Sequence, residues 1–242
     1  MTLHPELLCF DLGKASYSHA LRLQHALVSR FLEQTGTQQA ALVLVEHDPP
    51  VITLGRRARE SHILASPQFL RTRGVELIES ARGGDVTYHG PGQIVAYPIL
   101  RLDPKRRPLH AHVSNLEEAV IRVARSYGIE AERAAGRTGV WTSLGKLAAI
   151  GVAVHHWVAY HGIAMNVASD LSGFDLIVPC GLRDHTVTSL ERLVGAPIDF
   201  KEAKERLRSC LGEAFGFDAV VDASPGEWTE VLEEAARTEG LR

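Results

Sequence analysis

The sequence predicts an α+β domain: one mixed β-sheet flanked by helices, formed as a single domain over residues 1–242. Three observations carry this. Strand-like and helix-like segments are interleaved, and neighbouring strands join as hairpins rather than through strict βαβ alternation. The 242 residues suffice for one large core, and their 45% hydrophobic content excludes a disordered chain. No internal repeat, low-complexity tract or long linker divides the sequence.

The elements follow in order. Residues 17–35 place Ala20, Leu23, Leu27 and Phe31 at helical spacing, with Ser16 as N-cap and Gly36 as stop. "ALVLVEH" and "VITLG" read as buried strands on either side of "DPP". "VELIES" is a third strand and "QIVAYPIL" a fourth, where Pro98 suggests a sheet edge. Ser114 and Glu117 have the spacing of a capping box for a helix that ends at Gly128. "KLAAIGVAV" and "AYHGIAMNVA" read as an apolar hairpin. Asp199 and Glu202 cap another helix, and a last helix follows Pro225.

The formal charge of -3 argues against bulk nucleic-acid binding. No apolar run reaches the roughly 20 residues of a membrane helix. "MTLHPELLCF" lacks the basic-then-apolar order of a secretory leader, so the expectation is a cytoplasmic protein. Cys9, Cys180 and Cys210 are too far apart for a disulfide framework or a CxxC zinc site. Cys9 in "LLCF" and Cys210 on a helix read as packed residues. "HAH" at 110–112 and "HH" at 155–156 lack a carboxylate or cysteine at ligand spacing, so no metal is expected.

Two stretches point to chemistry. "RGGDVTYHGPGQ", residues 82–93, places four glycines beside Arg82, Tyr88 and His89. Glycine lets a backbone adopt positive φ or come close to a ligand. The stretch is either a plain strand connection or the lining of a ligand channel, and the mixture of side chains favours a channel. It is neither a Walker loop nor a dinucleotide fingerprint, because no Gly-Lys-Ser/Thr follows and the next element is a strand. In "LIVPCGLRD", Pro179 and Gly181 place Cys180 in a turn at the end of an apolar run. A nucleophilic thiol needs a nearby cation to favour the thiolate. Lys146, in an otherwise nearly uncharged block, and His161 are both candidates.

"VEHDPPVITLGRR", "RGGDVTYHGPGQIVAYPI", "TGVWTSLGKLAAIG" and "HGIAMNVASDLSGFDLIVPCGL" together resemble the lipoyl(octanoyl) transferase family. These are the octanoyl-[acyl-carrier-protein]–protein N-octanoyltransferases of lipoate biosynthesis. The resemblance covers about residues 10–193; the helical tail, about 196–242, carries none. It implies a fold like that of the catalytic domains of biotin and lipoate protein ligases. It assigns the acyl-bearing cysteine to Cys180 and its partner lysine to Lys146. Gly145 and Leu147 stand beside this lysine where many members have a second lysine or polar residue. It assigns the acyl pocket to Arg82, Gly83, Gly84, Asp85, Val86, Thr87, Tyr88 and His89. Ala149, Ile150 and Gly151, with His161 and the "HGIA" turn (Gly162, Ile163, Ala164), complete that pocket. His89 is expected to orient the thioester carbonyl, and amides around Cys180–Gly181 to hold the oxyanion.

The implied donor is octanoyl-acyl carrier protein. The acceptors are apo lipoyl domains of 2-oxoacid dehydrogenase complexes and the glycine cleavage H protein. No cofactor, nucleic acid or membrane takes part, and the enzyme acts as a monomer. Arg56, Arg57 and Arg59, with Arg82, are expected to form a basic patch for the acidic carrier. The alternatives are an ATP-dependent lipoate ligase on the same fold, a non-catalytic lipoyl-domain binder and a cysteine hydrolase. The "PCG" cysteine together with Lys146 argues against the first two. A transferase, unlike a hydrolase, must keep water from its thioester until an amine arrives.

Overall fold

The computed structural model describes residues 6–33, 40–105, 108–178 and 186–239. The chain opens with β1 (Glu6–Ala15), α1 (Tyr17–Glu33), β2 (Ala40–His47) and β3 (Val51–Leu54). Next come α2 (Pro67–Thr72), β4 (Glu76–Glu79), β5 (Val86–His89), β6 (Gln93–Arg101) and the long helix α3 (Pro108–Ser126). Four strands then run antiparallel in succession: β7 (Glu132–Ala134), β8 (Arg137–Thr142), β9 (Gly145–His155) and β10 (Val158–Asn166). The chain continues through α4 (Leu190–Val194), α5 (Phe200–Phe215), β11 (Ala219–Asp222) and α6 (Pro225–Glu239).

Among the described residues these strands form an eight-stranded sheet in the order β11-β1-β2-β6-β10-β9-β8-β7, and a three-stranded sheet β4-β3-β5. The large sheet is mixed: β1 is parallel to β2 and β11, and the other pairs are antiparallel. Helices cover both of its faces, which explains the unbroken apolar run of β2. Ala40, Leu42 and Leu44 join the core under α3 and α5, whereas Ala41, Val43 and Val45 join the core under α1. The small sheet has its own core of Ile52, Leu70, Val86, Tyr88 and Phe174. The expected mixed sheet between helices is therefore present, with a second sheet beside it. No helix among the described residues is long and apolar enough to cross a membrane.

Several local expectations hold. Ser16 Oγ accepts from the His19 amide at 3.2 Å, and Asp199 Oδ1 accepts from Lys201 and Glu202. Gly128 ends α3 at φ 72°. The β9–β10 hairpin turns at His156 and Trp157, both with positive φ (44° and 67°), as a two-residue I′ turn demands. Cys9 is buried, and burial pushes its thiol up to about 12. Gly36 lies outside the described residues.

Others are corrected. Ser114 and Glu117 lie inside α3, which already opens at Pro108; Pro is favoured at a helix start. The "HGIA" residues are mid-strand in β10 and form no turn. Pro98 sits in β6, a central strand, paired with Leu42 of β2. Its missing N–H is tolerated because the β6–β10 pairing lapses there, between Leu100 and Ala96. Opposite, His161 of β10 has φ 59°, and its amide turns away to Gln24 Oε1 of α1 at 2.9 Å. Gln24 is fully buried.

α3 carries a buried titratable group. His112 is 2% exposed, its ring is 5.1 Å from Phe215 of α5, and neither ring nitrogen has a hydrogen-bond partner among the described residues. Burial pushes its pKa down to about 4. As pH falls below the ordinary value, near 6.5, the unfolded chain takes up a proton that the folded chain refuses. Stability is therefore lost between about pH 6.5 and 4, by roughly 3 kcal/mol at about 1.4 kcal/mol per pH unit. His112→Leu should shrink the loss of urea-unfolding free energy between pH 7 and pH 4.5. An equal loss in both proteins would contradict the assignment.

Candidate active site

The glycine-rich stretch is laid against two elements at once. Gly83 N–H donates to Val152 O of β9 at 2.8 Å. On its other side, the amides of Gly55, Arg56 and Arg57 donate to Asp85, Arg82 and Gly84 carbonyls at 3.0–3.2 Å. Such approach leaves no room for side chains. A Cβ on Gly55 would stand 2.5 Å from Gly84 O, and one on Gly151 would stand 3.0 Å from Arg82 Cδ. Gly84 itself has φ 91°. The glycines thus bring backbone against backbone, and they also make space for Arg82.

Arg82 is 8% exposed. Its Nε and Nη2 donate to Thr53 Oγ1 at 3.0 and 2.8 Å, Nη2 also to Thr53 O at 2.6 Å, and Nη1 to Gly83 O at 3.1 Å. A buried guanidinium needs such acceptors for its fork of N–H groups. It is therefore a structural cation and not part of an exposed docking patch, which corrects that expectation. Arg56, Arg57 and Arg59 are exposed.

A cavity opens between this loop and the large sheet. Arg82, Gly84, Asp85, Val86, Thr87 and His89 form one wall. The opposite wall is the β9–β10 ladder, where Ala149, Ile150 and Gly151 pair with Ala164, Ile163 and Gly162. His161 and Lys146 also line it. Gly83 and Tyr88 do not. Tyr88 points to the other face of β5, where its ring packs 5.6 Å from Phe174 between Gly90 and Gly173. Gly90 of GPG therefore accommodates a core tyrosine rather than a ligand, and Gly92 makes room for the Ala168 backbone.

The histidines of the cavity are neutral. Burial pushes His161 down to about 3, aided by Arg82 and His25. Burial, with His47 and Arg82, holds His89 well below its ordinary range. Of the two candidate cations, His161 therefore carries no charge near neutral pH, and Lys146 stands in the same lining. His89 is also committed. Its Nδ1 donates to Gln93 Oε1 at 3.3 Å, and Nε2 faces the Thr53 hydroxyl at 3.5 Å. Gln93 Nε2 in turn donates to Tyr88 O at 3.2 Å. With its N–H spent on Gln93, His89 does not orient a thioester carbonyl in this arrangement. Asp85 accepts from His62 Nδ1 at 2.6 Å.

Lys146 is the second residue of β9 and is only 9% exposed. Its Nζ donates to Thr138 O at 3.3 Å and lies 4.6 Å from the centroid of the Trp141 ring, its cross-strand partner on β8. Its backbone is paired on the open side of β9: Lys146 N donates to Thr186 O at 2.9 Å, and Thr188 N donates to Lys146 O at 3.0 Å. Cys180 and Gly181 lie outside the described residues. The described chain before them ends at Val178, whose amide donates to His62 O at 2.8 Å. Among the described residues no three His, Cys, Asp or Glu side chains converge as a metal site.

Sequence reasoning missed Tyr17, Val95 and Tyr97, which also line the cavity. Val95 and Tyr97 alternate along β6, so one face of "QIVAYPIL" was a readable signal. Trp141 was readable as well, since the turn "SLG" in "WTSLGK" folds it back opposite Lys146.

The family model described as Lipoyl protein ligase A/B catalytic domain matches residues 16–212. An octanoyltransferase of Chloroflexus aurantiacus is 47% identical over 215 residues, which is 88% of this chain and 95% of that protein. One from Alkaliphilus metalliredigens is 43% identical over 211 residues, 87% and 95% of the two chains. In structure, the chain is similar to lipoate-protein ligase A bound with ATP, with TM-score 0.74, 17% identity and coverage of 97% and 95%. It is also similar to a bi-partite lipoate protein ligase of Thermoplasma acidophilum, with TM-score 0.73, 16% identity and coverage of 97% and 92%. At that identity the solved structures show the fold alone, whereas the sequence relatives show the family. The chain belongs to the lipoyl protein ligase A/B catalytic-domain family, and within it to the octanoyltransferases.

Proposed function

We propose that this protein moves an octanoyl group from octanoyl-acyl carrier protein to the lysine of an apo lipoyl domain, through a thioester on Cys180. The observation that carries the reading is Lys146, a buried amine lining an apolar, backbone-walled cavity. Residues 186–188, a few residues past Cys180 in the chain, pair directly with it. The 47% and 43% identical relatives named octanoyltransferase supply the acyl group and the reaction class. The finer roles of the lining residues, of both partners and of the monomer follow from this reading.

Two exchanges make up the reaction. The Cys180 thiolate attacks the octanoyl carbonyl carbon; its C–S bond forms as the bond to the carrier's sulfur breaks, and the carrier leaves as a thiolate that takes a proton from the Lys146 ammonium, leaving Lys146 as an amine. The ε-amine of the target lysine then attacks the Cys180 thioester. The C–N bond forms, the Cys180 C–S bond breaks, and the amine's proton goes to Lys146. No ATP is needed, because the incoming thioester is already activated. Lys146 favours the thiolate as an ammonium and accepts the proton as an amine. The neutral histidines and buried phenols of the cavity add no competing charge. Exposed Arg56, Arg57 and Arg59, beside the glycine-rich loop, are placed to attract an acidic carrier.

Incubation with octanoyl-acyl carrier protein without ATP should add one octanoyl mass. Peptide mapping should put it on Cys180, and an apo lipoyl domain should remove it. An adduct on Cys9 or Cys210, or a requirement for ATP, would overturn the reading.

Lys146→Ala should slow both acylation and transfer by about 100-fold or more, the usual range for a lost acid–base group. Lys146→Arg should restore part of the first step only, because guanidinium holds a thiolate but does not exchange a proton near neutral pH. Full transfer by Lys146→Arg would show that Lys146 acts as a charge alone.

Reversing Arg56 and Arg57 to Glu should raise KM for the octanoyl carrier and flatten its salt dependence. A small octanoyl thioester should be used as before. Equal losses on both substrates would place these arginines in the cavity's support and not at a docking surface.

A further inference from the structure

Glu117 is a buried carboxylate, 9% exposed, on the face of α3 that meets β8. Its Oε1 accepts the Gly139 N–H at 3.2 Å, and its Oε2 lies 3.3 Å from Arg133 Nε of β7. Arg133 is pinned in turn by Ser114 O at 3.1 Å and Glu118 Oε2 at 2.8 Å. Gly139 has φ 118°, which excludes other residues without strain. A Cβ there would stand 2.6 Å from Ala148 O, 3.4 Å from Lys146 Cε and 3.5 Å from its Nζ. The lysine stem therefore lies across the bare face of Gly139. The preceding carbonyl, Thr138 O, is the one that accepts from Nζ. The β8–β9 register also shifts between Val140 and Trp141, so the ordinary ladder does not fix this bend. Glu117 reaches it from a helix outside the strand.

We propose that Glu117 is a positioning residue for Lys146: by holding the Gly139 amide it fixes the bend that presents the Thr138 carbonyl to the ammonium and leaves the stem its path. Glu117 touches neither the cavity nor the reacting atoms. The inference rests on the role given to Lys146 above. It predicts that the carboxylate matters as an acceptor of one N–H, and that its negative charge is secondary. Misplacing a reacting group by about 1 Å costs up to about 100-fold in rate.

Three variants and Lys146→Ala test this with octanoyl-acyl carrier protein as donor. Glu117→Ala should lower kcat for octanoyl transfer at least about tenfold with KM little changed. It should also move the pH midpoint of Cys180 alkylation by iodoacetamide upward, since a displaced ammonium favours the thiolate less. Glu117→Gln keeps the acceptor oxygen and should retain kcat and the alkylation midpoint. Glu117→Asp keeps the charge but is too short to reach Gly139, so it should behave like Glu117→Ala. If Glu117→Ala does not fold, the Gln and Asp variants decide between reach and charge. Unchanged kcat and midpoint in a less stable Glu117→Ala would overturn the inference, as would a Gln variant as slow as Asp. Wild-type rates in Lys146→Ala would instead overturn the catalytic reading on which it rests.

Discussion

Burying the Arg82 guanidinium is the constraint around which the site is arranged. A buried cation is tolerated only when its N–H groups find acceptors. Thr53 gives it a hydroxyl and a carbonyl from β3, and Gly83 gives it a carbonyl from its own loop. These bonds tie the loop to the small sheet, while Gly83 N–H ties it to β9 of the large sheet. The cavity is the space that remains between the two. Gly55 and Gly151 are glycine because Arg82 and its loop occupy the volume a side chain would take. The same charge adds to burial in holding His89 and His161 neutral.

The result is an uneven distribution of chemistry along one apolar space. Aliphatic side chains and glycine backbone form most of its walls. Its phenols stay protonated: burial raises Tyr17, and raises Tyr97 well above its ordinary range. Its imidazoles stay unprotonated, and Arg82 is bonded to Thr53 and its own loop. Lys146 stands apart as a buried amine at the edge where β9 meets residues 186–188. An acyl chain in this space meets little that competes for its carbonyl. A site that holds a thioester until an amine arrives has this requirement.

The large features of the fold were legible because they rest on local signals. Helical spacing gave α1, caps gave α5, and the paired apolar runs gave the β9–β10 hairpin. What was not legible depends on partners distant in sequence. Pro98 suggests an edge only until His161 is seen to divert its amide to Gln24, 137 residues earlier. Ser114 and Glu117 matched a capping box by spacing, yet Glu117 serves the β8 bend 22 residues on. In the candidate site, most of the glycine-rich stretch does line a cavity, but the alternation of β5 turned Tyr88 into the core. The commitment of His89 to Gln93 and Thr53 depends on which strands become neighbours, and nothing in "YHGPGQ" announces it.

The most direct test is the structure of the octanoylated enzyme, trapped on Cys180 before an acceptor is added. The account predicts that the eight-carbon chain lies between the Gly84–Thr87 wall and the Gly151–Gly162 ladder, with the thioester carbonyl next to Lys146 Nζ. An acyl chain lying elsewhere, with this cavity empty and Lys146 remote from the thioester, would contradict it.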